Sequence, residues 1–173
     1  MSEAPPELIF IAGPNGAGKT TFATKFVPLV TPSHIYLNVD EGARLASPQL
    51  TGLQAARRHL EQVQSLLAHR RSLIIESTFS GLGYVKTMRD AKNLGYFVII
   101  HYIQLPTVET SIRRVQKRVA SGGHDIPEGD LRRRFSRSVI NFEKRYKPIA
   151  DEWTHYESRD GKFEKIASSC GRT

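Results

Sequence analysis

Apolar positions in this chain fall into short runs that alternate with longer, helically spaced patterns. "ELIFIAG" (7–13) is a nearly unbroken apolar run ending at glycine, the pattern of a strand buried on both faces. A helix is expected from Lys19 to about Phe26, stopped by Pro28. "HIYLNVD" (34–40) reads as a second strand ending in carboxylates. Pro48 then opens a long amphipathic helix, with Leu53, Ala56, Leu60, Val63 and Leu67 at helical spacing. "SLIIEST" (72–78) is a third strand, and "GYVKTMRDAKNLG" a helix closed by Gly95. "YFVIIHYIQL" (96–105) is a fourth strand, ended by Pro106. "VETSIRRVQKRVAS" is helical, Gly122-Gly123 breaks it, and Pro127 starts the next helix. The buried stripe of that helix is Leu131, Phe135, Val139, Phe142 and Tyr146. A last strand, "EWTHYES", and a turn at Asp160-Gly161 finish the chain. Strands alternating with helices predict an α/β fold, a central parallel sheet covered on both faces in a three-layer sandwich.

The 173 residues fit one domain over 1–173. At 39% hydrophobic and 24% charged, the composition is that of a soluble globular protein. No apolar run approaches the roughly 20 residues needed to span a bilayer. "MSEAPPEL" has no basic start followed by an apolar stretch, so no secretory signal is expected. The single cysteine, Cys170, has no intrachain partner, which fits a reducing cytosol and a cytoplasmic location. No Cys/His cluster has zinc-ligand spacing.

Charge changes the picture. The formal net charge is +8, and the segment from Thr110 to Lys147 holds eleven Lys/Arg against four Asp/Glu, a balance of +7. Four arginines (Arg132, Arg133, Arg134 and Arg137) fall within six residues. An excess localised in this way suggests a polyanionic partner: a nucleotide, a nucleotide-sugar or a nucleic acid.

"GPNGAGKTT" fits G-x-x-x-x-G-K-[ST] at Gly13, Gly18, Lys19 and Thr20, with a strand before it and a helix after it. This phosphate cradle spans Gly13, Pro14, Asn15, Gly16, Ala17, Gly18, Lys19, Thr20 and Thr21. Glycines let backbone N–H groups turn inward around phosphate oxygens, and the helix start adds its positive end. Lys19 reaches the terminal phosphates and the Thr20 hydroxyl coordinates Mg²⁺. ATP or GTP with Mg²⁺ is the expected ligand. "ASGGH" (120–124) superficially matches the signature of transporter-type ATPases, but an arginine-rich helix follows it, not an apolar strand ending in Asp-Glu. No N-K-x-D base-recognition motif supports a GTPase. A small kinase remains.

Ligands of open parallel sheets bind beyond the carboxyl ends of the strands. Asp40 and Glu76 lie at two such ends. If the third strand neighbours the P-loop strand, as in small nucleotide kinases, both carboxylates border the phosphate site. Asp40 is the candidate base for an acceptor hydroxyl, although a helix N-cap also explains it. Glu76 could bind that hydroxyl or hold a Mg²⁺-bound water. Thr78 and Ser80 add hydroxyl contacts or cap a turn. The segment from about 107 to 147 has the parts of a lid: Arg114 and Arg118 on one helical face, the Gly122-Gly123 hinge, His124 at the tip, and the second arginine helix. Consecutive arginines turn about 100° each, so they cannot all face one site. Arg134 and Arg137, three apart, share a face; Arg132 and Arg133 suit a solvated surface.

"GPNGAGKTT", "LNVDEGARLASP", "ESTFSG" and "RVASGGHDIPEGDLRRRFSRSVINF" together resemble the zeta-toxin family of P-loop kinases, in its short stand-alone branch. The resemblance covers almost the whole chain, and the Gly-Gly-His-x-Ile-Pro hinge with its arginine helix is its most specific part. It implies a P-loop small-kinase fold and ATP-dependent phosphorylation of a small-molecule hydroxyl, for the toxins a UDP-N-acetylamino sugar. It maps Lys19 and Thr20 to phosphate and Mg²⁺, Asp40 to the catalytic base and Glu76 to the acceptor. Arg118, His124 and Arg134 fall in the lid that grips the phosphates, and an antitoxin protein becomes a candidate partner. A polynucleotide 5′-hydroxyl kinase and a non-catalytic ATP-binding regulatory module are the alternatives. The first is opposed by the lack of interleaved aromatic residues that would stack on single strands.

Overall fold

A computed structural model describes residues 4–30, 33–38, 52–123 and 125–169. Its strands are β1 (Glu7–Ala12), β2 (His34–Asn38), β3 (Ser72–Ser77), β4 (Phe97–Gln104), β5 (Glu152–Arg159) and β6 (Lys162–Ser168). They form one sheet in the order β2-β3-β1-β4-β5-β6. β1 lies at its centre, parallel to β3 on one side and β4 on the other. β3 does neighbour the P-loop strand, as the acceptor argument required.

The helices are α1 (Lys19–Val30), α2 (Gly52–Ala68), α3 (Gly83–Asn93), α4 (Val108–Ala120) and α5 (Glu128–Asn141). Alternation along the strands builds two apolar layers. Leu8, Phe10, Ala12, Leu73, Ile75, Val98, Ile100 and Tyr102 pack on one face with Val63 and Leu67 of α2 and Met88 of α3. Ile9, Ile11, Ile74 and Ile103 face the other way, onto Phe22 and Ala23 of α1. Both faces of β1 are therefore covered, which is why its sequence is continuously apolar. A smaller cluster of Ile112, Val115 and Leu131 joins α4 to α5.

Two boundaries differ from the sequence expectation. α1 does not stop before Pro28 but contains it and ends at Val30. Proline removes one backbone donor and crowds the preceding turn, a small loss where only two helical residues follow. The chain also does not finish on β5. Asp160 and Gly161, both at positive φ (46° and 75°), turn it into β6, which pairs antiparallel with β5. Two successive positive φ values are the requirement of a tight hairpin turn, and Asp-Gly meets it. The sheet is thus mostly parallel with one antiparallel edge.

Past Asn141, α5 widens into a π-helical turn, Phe142–Tyr146. Phe142 stacks on Tyr102 at 4.0 Å between ring centroids, and Tyr146 stacks on Phe79 at 3.8 Å. Of the expected stripe, Leu131, Phe142 and Tyr146 are buried, whereas Phe135 and Val139 are half-buried.

Candidate active site

The loop from Gly13 to Lys19 leaves the carboxyl end of β1 and enters α1. Gly13 sits at φ 144°, where a Cβ would lie 2.1 Å from the Ile103 carbonyl oxygen. No side chain fits there, so the strand turns against its neighbour at that residue and nowhere else. The Gly13 N–H donates to Ser77 O at 3.2 Å, fastening the loop to the end of β3. Ala17 N–H donates back to Pro14 O. The N–H groups of Asn15, Gly16 and Gly18 have no such partner among the described residues and are open to an anion. Lys19, although buried, keeps its ammonium at the loop, donating to Gly13 O at 2.9 Å and Pro14 O at 3.1 Å.

Beside this cradle stands a buried carboxylate. Glu76, 6% exposed, accepts from Thr20 Oγ1 at 3.0 Å and from the Tyr36 hydroxyl at 2.6 Å. Parallel pairing puts it there: Glu76 lies opposite Ile11 of β1 and Asn38 of β2, one residue before β3 ends. Each carboxylate oxygen is thus met by a hydroxyl donor, one from the phosphate loop's helix and one from β2. Thr78 follows within two residues; its hydroxyl meets Ser80 Oγ at 2.8 Å and its carbonyl accepts from Ser138 at 2.6 Å. Asp40 and His124 lie outside the described residues.

The arginines separate by environment. Arg132 pairs with Glu109 at 3.0 Å and Glu128 at 2.8 Å, and Arg133 with Asp130 at 2.9 Å, all on exposed surface. These acids offset much of the repulsion in the run, and the Arg132 hydrogen bond lowers the Glu109 pKa. Arg134 is half-buried and Arg137 exposed, and neither has an acidic partner among the described residues. Arg118 is exposed in the last turn of α4, where its carbonyl accepts from Ser121 N and Gly123 N. Arg114, one turn earlier, is half-buried and bound into the fold: it donates to Gly16 O at 3.3 Å, Ser158 Oγ at 2.9 Å and Ser158 O at 3.4 Å.

Sequence reasoning missed several of these neighbours. Ser111 donates to Asn15 O at 2.6 Å, so α4 grips the phosphate loop at two successive carbonyls. Asn15 Oδ1 is buried without a hydrogen-bond partner among the described residues. A serine inside an otherwise apolar stripe, as at Ser111 and Ser138, is the signal that could have found these contacts. Nothing in the local pattern marks Tyr36 as a partner of Glu76.

The zeta toxin family model matches residues 1–169. The chain belongs to the zeta toxin family. A Haemophilus influenzae protein described only as uncharacterized is 32% identical over 131 residues, covering 73% of this chain and 91% of that protein. Among solved structures, the PezAT toxin–antitoxin system of Streptococcus pneumoniae aligns over all of this chain and 75% of its own, with 20% identity and a TM-score of 0.65. The AvrRxo1-ORF1:-ORF2 structure with ATP aligns over 95% of this chain and 58% of its own (19% identity, TM-score 0.68). A chain of the Pnkp1/Rnl/Hen1 RNA repair complex aligns over 99% and 51% (21% identity, TM-score 0.65). At these identities the structures establish the P-loop kinase fold, and family membership establishes nucleotide use. Among the described residues, no helix is long and apolar enough to cross a membrane.

Proposed function

We propose that this protein is a cytoplasmic ATP-dependent kinase that phosphorylates a hydroxyl of a small molecule, with a UDP-N-acetylamino sugar as the favoured acceptor. The observation that carries the reading is the buried Glu76 carboxylate within hydrogen-bond reach of the P-loop hydroxyl of Thr20. A module that only binds nucleotide needs no acceptor base, the role proposed here for Asp40. The open backbone N–H groups of Asn15, Gly16 and Gly18, with those at the start of α1, hold the phosphates, and Lys19 leaves its loop carbonyls for the terminal phosphate. Glu76 orients the acceptor hydroxyl and Asp40 takes its proton. As the acceptor oxygen bonds to the γ-phosphorus, the bond to the β–γ bridging oxygen breaks and ADP departs. Arg118, Arg134 and His124 stabilise the charge on the phosphoryl oxygens.

Among the described residues no group of three or more His, Cys, Asp or Glu could hold a metal alone. The neighbouring Thr20 hydroxyl and Glu76 carboxylate are hard oxygen donors, which suits Mg²⁺ held jointly with substrate phosphates. When bound, Mg²⁺ supplies charge neutralisation at the β- and γ-phosphate oxygens.

The similarity to a toxin–antitoxin system supports an antitoxin-like protein partner. A polynucleotide 5′-hydroxyl kinase is the second reading, favoured by Arg134 and Arg137, which lack acidic partners among the described residues, and by the similarity to an RNA repair complex. An ATP-consumption screen over UDP-N-acetylglucosamine, other nucleotide-sugars, nucleosides and oligonucleotides, with products identified by mass spectrometry, separates them. Phosphate on the sugar supports the first reading. Phosphate only on oligonucleotide 5′ ends replaces it with the second, and ATP binding without any product leaves the regulatory module.

A further inference from the structure

The loop after Glu76 is held in a way that the P-loop chemistry does not require. Three of its carbonyls are each met by a side chain from the end of α5 and the π turn. Ser138 Oγ donates to Thr78 O at 2.6 Å, Asn141 Nδ2 to Phe79 O at 2.8 Å, and the Tyr146 hydroxyl to Gly81 O at 2.7 Å. Phe79 sits at φ 54°, a left-handed conformation that a bulky residue adopts only when its surroundings impose it. The Phe79–Tyr146 stack and the three hydrogen bonds are those surroundings. Ser138 has one proton and gives it to Thr78 O, so the buried Tyr102 hydroxyl must donate to Ser138 Oγ at 3.0 Å.

The π turn makes this grip possible. In an α-helix, residues 141 and 146 would point about 140° apart. The i→i+5 widening, seen in Lys147 N–H donating to Phe142 O at 2.9 Å, turns them toward one side.

We infer that Ser138, Asn141 and Tyr146 are positioning residues that set the shape of the acceptor loop, Thr78 to Gly81, and hold it in register with the arginine helix. Arg134 lies one helical turn before Ser138, so the element that carries this arginine also fixes the loop beyond Glu76. Acceptor placement and phosphate stabilisation are tied through α5. The inference rests on the kinase reading with Glu76 and Thr78 on the acceptor side.

The test uses Tyr146→Phe, which keeps the ring stack and deletes one hydrogen bond, and Asn141→Ala, which deletes another. The full chain is assayed with ATP and UDP-N-acetylglucosamine well below its melting temperature, alongside ATP titration calorimetry. Each variant should raise the acceptor KM about three- to tenfold, the loss of roughly one hydrogen bond. ATP affinity should stay within about twofold. Unchanged acceptor KM and kcat in both variants, with only a lowered melting temperature, would make the contacts structural and overturn the inference. Equal losses in ATP and acceptor affinity would overturn it as well. If wild type phosphorylates no acceptor in the screen, the kinase reading fails first, and the inference with it, before any variant is compared.

Discussion

Arg114→Ala tests whether the phosphate loop is braced from outside. The half-buried guanidinium joins three elements: α4, the loop at Gly16 O and the end of β5 at Ser158. Only the 2.9 Å bond to Ser158 Oγ is short; those at 3.3 and 3.4 Å lie at the long end of the range and count for less. Hydrogen bonds from a charged donor contribute about 1.5–3 kcal/mol each when well made. One good bond, two weak ones and the lost stem contacts sum to about 2–3 kcal/mol. Ser158 is 1% exposed, so its hydroxyl cannot turn to water once the arginine is gone. For a chain of this size the expected fall in Tm is about 4–10 °C. Urea unfolding of wild type, Arg114→Ala, Ser158→Ala and the double variant gives the coupling directly. The expected coupling is about 1 kcal/mol or more. Strict additivity of the two single losses would show that the contact contributes nothing, and the brace would have to be abandoned. With the brace removed, ATP affinity should also fall, because Gly16 O loses a partner that holds the loop's curvature.

Lys19→Ala should abolish ATP-dependent turnover while leaving the fold intact, since its ammonium donates to the loop carbonyls of Gly13 and Pro14; circular dichroism and a turnover assay check both halves. Arg134→Ala should depress kcat more than it weakens ATP binding, the pattern of contacts made in the transition state, whereas Arg132→Ala should leave both nearly unchanged because its guanidinium is engaged by Glu109 and Glu128. Burial among Phe22, Phe26 and Tyr156 pushes the His101 imidazole down to about 4. The unfolded chain takes up that proton below about pH 6.5, so stability is full above that value and falls by up to ~3 kcal/mol as the pH drops to about 4. Urea midpoints at pH 7.5 and 5.0 should diverge less in His101→Gln, and an equal divergence would refute the assignment.

What could be read from the chain follows the range of the forces involved. β1, the loop and α1 were legible because strand, glycine turn and helix start are all local, and each is written in a few adjacent residues. The parallel sheet followed from alternation. β6 was not legible: in "KFEKIAS" only Phe163 is even half-buried, so the edge strand carries no clean period, though Asp160-Gly161 announced the turn. Pro28 misled because its cost depends on how much helix remains beyond it. The site was half legible. Glu76 could be placed by counting to a strand end, but its bonds to Tyr36 and Thr20 depend on registers fixed by other strands. Arg114 read as a lid arginine sharing a face with Arg118, because sequence shows the charge and not the loop carbonyl and serine it meets. The π turn leaves the apolar spacing of Leu131, Phe142 and Tyr146 intact, so periodicity cannot reveal it.

The position of β1 has a consequence for how the protein is made. The strand synthesised first is the middle of the finished sheet, and both its partners come much later in the chain. At about 5–20 residues per second, β1 emerges on the order of ten seconds before β4 is complete. Leu8 to Ala12 is an apolar segment with two open edges until β3 emerges and one until β4 does, the kind of segment that pairs with the wrong partner. Fast local steps, helix formation and the β5–β6 hairpin, cannot relieve it, because the missing contacts are distant in sequence. Yield in the cell should therefore respond to slowed translation between β1 and β4 more than to slowing anywhere after Gln104.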